Sequence, residues 1–162
     1  MAFRVLFVCT GNSCRSPMAE AIAREAWTDA DGTAFEVSSA GTNAEEGGHA
    51  SSGALELARE NGLDLEGCQG RQLTPQILEN ADLVLVMEPA HRSLVLGIQP
   101  LADTKTMLLG ELAGLSGRDA AVPDPFGGPV DSYRRTFQRL ESLIQAGRPR
   151  LLELVARKAA RS

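Results

Sequence analysis

An apolar, β-branched run from Phe3 to Val8 ends on Cys9, and the chain then passes through Thr10-Gly11-Asn12-Ser13-Cys14-Arg15 to Ser16-Pro17. The run reads as a strand buried on both faces, which is the mark of a parallel sheet. Ser16-Pro17 reads as the cap and first position of a helix continuing through Met18, Ala19, Ile22 and Ala23. A strand joined by a short loop to a helix is the first half of a βαβ unit, and the rest of the chain keeps that rhythm.

Further apolar runs stand at Ala34 to Val37, Leu83 to Met87 and Thr104 to Leu108. They alternate with helix-like stretches from Pro17 to about Trp27, Ser51 to about Asn61, Pro75 to Asn80, Pro89 to about Gly97, and from about Val130 onward. Thr74-Pro75 is a cap-plus-proline start, and Asn61-Gly62 is a stop. Gly147 and Pro149 interrupt the last helical pattern, so a kink or two helices are expected there. The alternation predicts an α/β fold: a four-stranded parallel sheet in a three-layer, Rossmann-like domain with helices on both faces.

With 162 residues, 43% of them hydrophobic, the chain fits one domain spanning residues 1–162. The apolar runs are too short to span a bilayer, and Met1-Ala2-Phe3-Arg4 leaves no room for a signal peptide before the first strand. A cytoplasmic protein without membrane insertion is expected. Three cysteines do not make a disulfide framework, and two histidines without ligand spacing argue against a metal site. The net charge of −5 disfavours nucleic acid as a partner. Arg148, Arg150, Arg157, Lys158 and Arg161 are assigned to the solvated face and last turns of the C-terminal helix.

The loop after Cys9 has chemistry of its own. Backbone N–H groups gathered at a helix N-terminus, with the positive end of the helix dipole, make a site for a phosphate-like dianion. Arg15 adds a planar fork able to hold two of its oxygens, and Gly11-Asn12 accept the positive φ that such a loop needs. The same surroundings favour the thiolate of Cys9, and Ser16 is placed to hold the sulfur as a leaving group. Ligands of open parallel sheets bind at the carboxyl ends of strands, where Cys9 stands.

The segment Cys9-Thr10-Gly11-Asn12-Ser13-Cys14-Arg15-Ser16-Pro17-Met18-Ala19-Glu20 resembles the low-molecular-weight protein tyrosine phosphatase family. Ser39-Ala40-Gly41-Thr42, Arg71-Gln72-Leu73-Thr74, Ala81 to Met87 and Asp124-Pro125-Phe126 follow in that family's order, so the likeness covers nearly the whole chain. The resemblance implies Cys9 as nucleophile, Arg15 as transition-state clamp and Asp124 as general acid. Thr10 to Cys14 would form the phosphate loop, with Phe126 as a pocket wall and Ser39 as loop support. It implies no metal or organic cofactor, a monomer, and phosphorylated proteins as substrates. Asp124, in Val122-Pro123-Asp124-Pro125-Phe126-Gly127-Gly128, would by composition alone pass for an ordinary turn aspartate; the family match makes it the acid. Cys14 resembles the neighbouring cysteine that in this family forms a reversible disulfide protecting the nucleophile.

Departures from the family pattern bear on specificity. Cys68 stands where members usually carry a histidine that helps hold the loop asparagine, here Asn12, through a serine matching Ser39. The stretch between Gly41 and Ala50 lacks the aromatic that often lines a phosphotyrosine pocket. Ser13 resembles the threonine of protein-arginine phosphatases, as does Asp124-Pro125-Phe126-Gly127-Gly128, whereas Arg71-Gln72 looks like the tyrosine branch. Phosphotyrosine hydrolysis is the expectation, with phosphoarginine the alternative. The loop also resembles that of thioredoxin-coupled arsenate reductases, but Met87-Glu88-Pro89-Ala90-His91-Arg92-Ser93 has no relay cysteine. A non-catalytic phosphoprotein-binding module would be expected to lose Cys9, Arg15 or Asp124. His49 and His91 are assigned structural or solvated roles, Trp27 and Tyr133 packing roles, and Glu45-Glu46 a solvating or substrate-repelling one.

Overall fold

The computed structural model describes residues 2–27 and 34–161. Its centre is a four-stranded parallel sheet in the order β2-β1-β3-β4, formed by Phe3–Cys9 (β1), Phe35–Gly41 (β2), Leu83–Val86 (β3) and Thr106–Leu108 (β4). The helices are Arg15–Ala26 (α1), Ser52–Glu60 (α2), Pro75–Asn80 (α3), Pro89–Ile98 (α4), Leu109–Leu112 (α5) and Val130–Arg161 (α6).

Alternation along β1 divides the core in two. Phe3, Val5, Phe7 and Cys9 face one layer, shared with α1, α2, α5 and α6; Leu6 and Val8 face the other, shared with Leu78 of α3 and Val95 of α4. A strand buried on both faces is the reason its sequence is almost wholly apolar. Trp27 stacks on Phe7 with centroids 5.8 Å apart, and its indole N–H donates to the Ile144 carbonyl at 3.2 Å. That packing role is the one its sequence position predicts. Tyr133 is also buried, against Gly53.

The strands end together at one edge, with Cys9 paired to Gly41 and Val8 to Val86. Gly41 is required there: a Cβ would lie 2.5 Å from the Thr10 carbonyl oxygen and 2.9 Å from the Asn12 nitrogen. The loop after β1 is therefore held directly against the end of β2.

Four expectations need correction. The second strand runs on to Gly41, because its polar residues Ser38 and Ser39 keep the ladder with β1. The fourth begins only at Thr106, since residues 100–105 form a 3₁₀ turn in which Lys105 donates to the Leu78 and Ala81 carbonyls, each at 2.7 Å, at the end of α3. Helix α1 starts at Arg15 with Cys14 as its cap, so Ser16 is a first-turn residue whose hydroxyl points at the loop. Of the kink or two helices expected at Gly147 and Pro149, the second helix is not found: Pro149 lies inside α6, and the buried stripe Leu140, Ile144, Gly147 and Leu151 carries the helix past it.

Candidate active site

Between Cys9 and α1 the backbone turns on Asn12, whose φ of 53° lies in the left-handed region. Three hydrogen bonds hold it there. Its amide donates to Ser16 Oγ at 2.8 Å and to Ser39 Oγ at 3.0 Å, and its carbonyl accepts the Arg71 N–H at 2.9 Å. Ser16 Oγ accepts from Asn12 and lies 2.9 Å from Cys9 Sγ, so its hydroxyl is placed to donate to a thiolate there. Ser39 in turn donates to Glu20 Oε1 at 2.9 Å, and Glu20 pairs with Arg24. Glu20 thus completes the network in which the family histidine is missing. Cys68 is half-buried, its thiol pushed up first by burial and then by the charge of Glu20.

The loop is also tied from behind. The Thr42 and Asn43 N–H groups donate to the Cys9 and Thr10 carbonyls at 2.9 and 2.8 Å, and the Ser51 N–H to the Ser13 carbonyl at 2.7 Å. The first N–H groups of α1, which have no partner within the helix, lie at this loop.

Arg15 is only 2% exposed, so its charge needs partners. One guanidinium nitrogen bonds Glu88 and donates to the Val122 carbonyl at 2.9 Å; the other lies 3.6 Å from Asp124 Oδ2. Asp124 is half-exposed and its Oδ1 accepts the Phe126 N–H at 3.0 Å, an Asx-type turn that fixes the carboxyl on its loop. The Val122 N–H donates to the Met87 carbonyl at 2.8 Å, anchoring that loop to the end of β3.

These elements enclose a cavity of about 230 Å³ lined by Cys9, Thr10, Gly11, Ser13, Cys14 and Arg15 from one side and by Asp124 and Phe126 from the other. Ser16 and Ser39 stand behind the loop and hold Asn12, which is the loop residue that does not line the cavity. The Cys14 thiol is pushed up to about 12, first by burial, then by Cys9 and Asp124, with Arg15 opposing.

Two residues of this site are not announced by the sequence. Glu88, bonded to Arg15, stands two residues beyond the end of β3, and its place past a strand's carboxyl end next to β1 was the available signal. His91 is not solvated: it is 3% exposed, and its Nδ1 accepts the Glu88 N–H at 3.1 Å. Its Nε2 therefore carries the proton and donates to Thr10 Oγ1 at 2.8 Å. Burial, and then the charge of Arg15, push this imidazole below its ordinary pKa, while Glu88 and Asp124 oppose. Glu46 is likewise not simply solvating, since it accepts the Gln72 N–H at 2.6 Å.

The family model of the low molecular weight phosphotyrosine protein phosphatases matches residues 4–160. A protein-arginine-phosphatase of Geobacillus stearothermophilus is 39% identical over 89% of this chain and 93% of its own. A putative low molecular weight protein-tyrosine-phosphatase of Klebsiella pneumoniae is 38% identical over 85% and 89%. Among solved structures, the low molecular weight protein tyrosine phosphatase from T. tengcongensis superposes with a TM-score of 0.81 at 40% identity, covering 94% of this chain and 99% of that one. With the parallel sheet and the loop that ends its central strand, these matches establish that the chain belongs to the low molecular weight phosphotyrosine protein phosphatase family.

Proposed function

We propose that the chain hydrolyses phosphotyrosine in proteins through a phosphocysteine at Cys9. The observation that carries this is that Cys9, Arg15 and Asp124 line one small cavity. In the first step the Cys9 thiolate attacks phosphorus in line with the departing phenolic oxygen. The S–P bond forms as the P–O bond breaks, and protonated Asp124 gives its proton to the leaving oxygen. In the second, Asp124 takes a proton from water, the water oxygen attacks phosphorus, and the thiolate departs with the Ser16 hydroxyl donating to it. Arg15 and the loop N–H groups hold the equatorial oxygens of the transferring phosphoryl group throughout. Glu88 and the Val122 carbonyl hold the Arg15 guanidinium in place for that task.

Phe126, 69% exposed at the mouth of the cavity, supplies the flat wall that favours an aromatic leaving group. Phosphoarginine is the second reading: Ser13 lines the cavity with a small hydroxyl able to accept from a guanidinium, and a relative named an arginine phosphatase is 39% identical. Three cysteines, an odd number, suit a reducing compartment, and the setting proposed is a cytoplasmic monomer working on phosphorylated proteins without a cofactor. No helix among the described residues is long and apolar enough to cross a membrane.

The test compares kcat/KM for a phosphotyrosine and a phosphoarginine peptide, with Cys9→Ser as blank. Turnover of the first well above the second supports hydrolysis of phosphotyrosine; the reverse order transfers the assignment to phosphoarginine. Activity retained by Cys9→Ser would sink the mechanism.

A further inference from the structure

Asp124 and Phe126 face two cavities. Beyond the one that holds Cys9, a second cavity of about 470 Å³ lies between the acid loop and α6, and Asp124 and Phe126 line both. The floor of the second is built from α6, by Ser132, Arg135, Thr136 and Arg139. Arg135 and Arg139 are spaced one helical turn apart and so project from the same face.

Neither arginine is engaged with a carboxylate within salt-bridge distance among the described residues. Arg135 is exposed and donates to Ser132 Oγ at 3.2 Å; Arg139 is half-buried and bonds the backbone carbonyl of Asp119. The nearby acid Asp131 is taken by Arg134, which also pairs with Glu60. In a chain of net charge −5, the two cations of this lining outnumber its one carboxylate, Asp124, which lies 3.6 Å from Arg15. The cavity's chemistry suits an anionic group, and its shared wall places that group next to whatever occupies the Cys9 cavity.

We propose that this second cavity receives the acidic side chain of a residue flanking the phosphorylated one in a protein substrate, bound by Arg135 and Arg139. The substrate backbone crosses the exposed Phe126 ring, with the phosphorylated side chain on one side of the ridge and the Asp or Glu on the other. The pocket would thus select among phosphorylated sequences, while chemistry at phosphorus stays in the first cavity. This inference rests on the phosphatase reading but not on the choice between phosphotyrosine and phosphoarginine.

The experiment measures kcat/KM for phosphopeptides in which one Asp or one Ala occupies each position from three residues before to three after the phosphorylated one. Wild type, Arg135→Gln and Arg135→Gln/Arg139→Gln are compared. The readout is the Asp/Ala ratio within each protein, which cancels any general loss of activity or folding in a variant. The expected ratio is about three- to tenfold at one position in wild type, as for a solvent-accessible ion pair or two. It falls toward one in both variants and as salt is raised. A wild-type ratio of one at every position, or a ratio the variants leave unchanged, overturns the docking cavity. Failure of wild type to turn over any phosphopeptide, or p-nitrophenyl phosphate, overturns the phosphatase reading and this inference with it.

Discussion

Asn12 ties the loop after β1 to α1, β2 and the segment at Arg71. Its left-handed φ and its three hydrogen bonds to Ser16, Ser39 and the Arg71 N–H are separable by mutation. Asn12→Gly keeps the conformation and loses the bonds; Asn12→Ala loses both. We expect kcat/KM to fall at least tenfold in the first, and stability to fall by about 1–3 kcal/mol more in the second than in the first, checked by kinetics and urea unfolding. Cys14 gives a contrasting prediction. Its thiol, raised to about 12, stays protonated at neutral pH, so iodoacetamide followed by peptide mass mapping is expected to leave Cys14 unlabelled until the protein is unfolded. Its folded pKa exceeds the unfolded one, so any stability linked to it is complete below the unfolded value and is lost as pH rises toward 12. His91 has the opposite sense. Its pKa is lowered on folding, so the folded state binds fewer protons; the linked stability is present above the unfolded value of about 6.5 and lost as pH falls below it. Protonation would also set an Nδ1–H against the Glu88 N–H that it now accepts. An unfolding midpoint measured from pH 7.5 to 5 is expected to drop less steeply in His91→Gln than in wild type.

At the scale of elements, the site depends on a strand end and a loop pressed together. Gly41→Ala would place a Cβ 2.5 Å from a backbone oxygen that cannot step aside, and we expect a loss of about 1–3 kcal/mol with a lower kcat, read by thermal unfolding and steady-state kinetics. Elements with a strong local signal were legible in the chain: β1 from its continuous apolar run, α3 from Thr74-Pro75, the end of α2 from Asn61-Gly62. Those settled by tertiary partners were not. The late start of β4 depends on Lys105 reaching the carbonyls of α3, and the unbroken run of α6 past Pro149 depends on its buried face. The candidate site divides in the same way. Cys9 to Ser16 lie on one contiguous segment and can be read as a unit. Glu88 and His91 join it across the sheet, and no local pattern announces such partners.

At the scale of the whole molecule, β1 belongs to both cores, since Phe7 packs with Trp27 on one face and Val8 with the α3–α4 layer on the other. Phe7→Ala is expected to cost about 3–5 kcal/mol, measured by urea denaturation, a large part of the stability of a domain this size. The candidate nucleophile is the last residue of that same strand, and the groups that support it come from α1, β2, the start of α4 and the acid loop. Among the described residues, the groups that line and support the site are spread over several elements. Catalysis and cohesion should therefore disappear together: in a denaturant series, turnover would serve as an internal gauge of the folded fraction, with no regime in which an intact-looking molecule has gone silent.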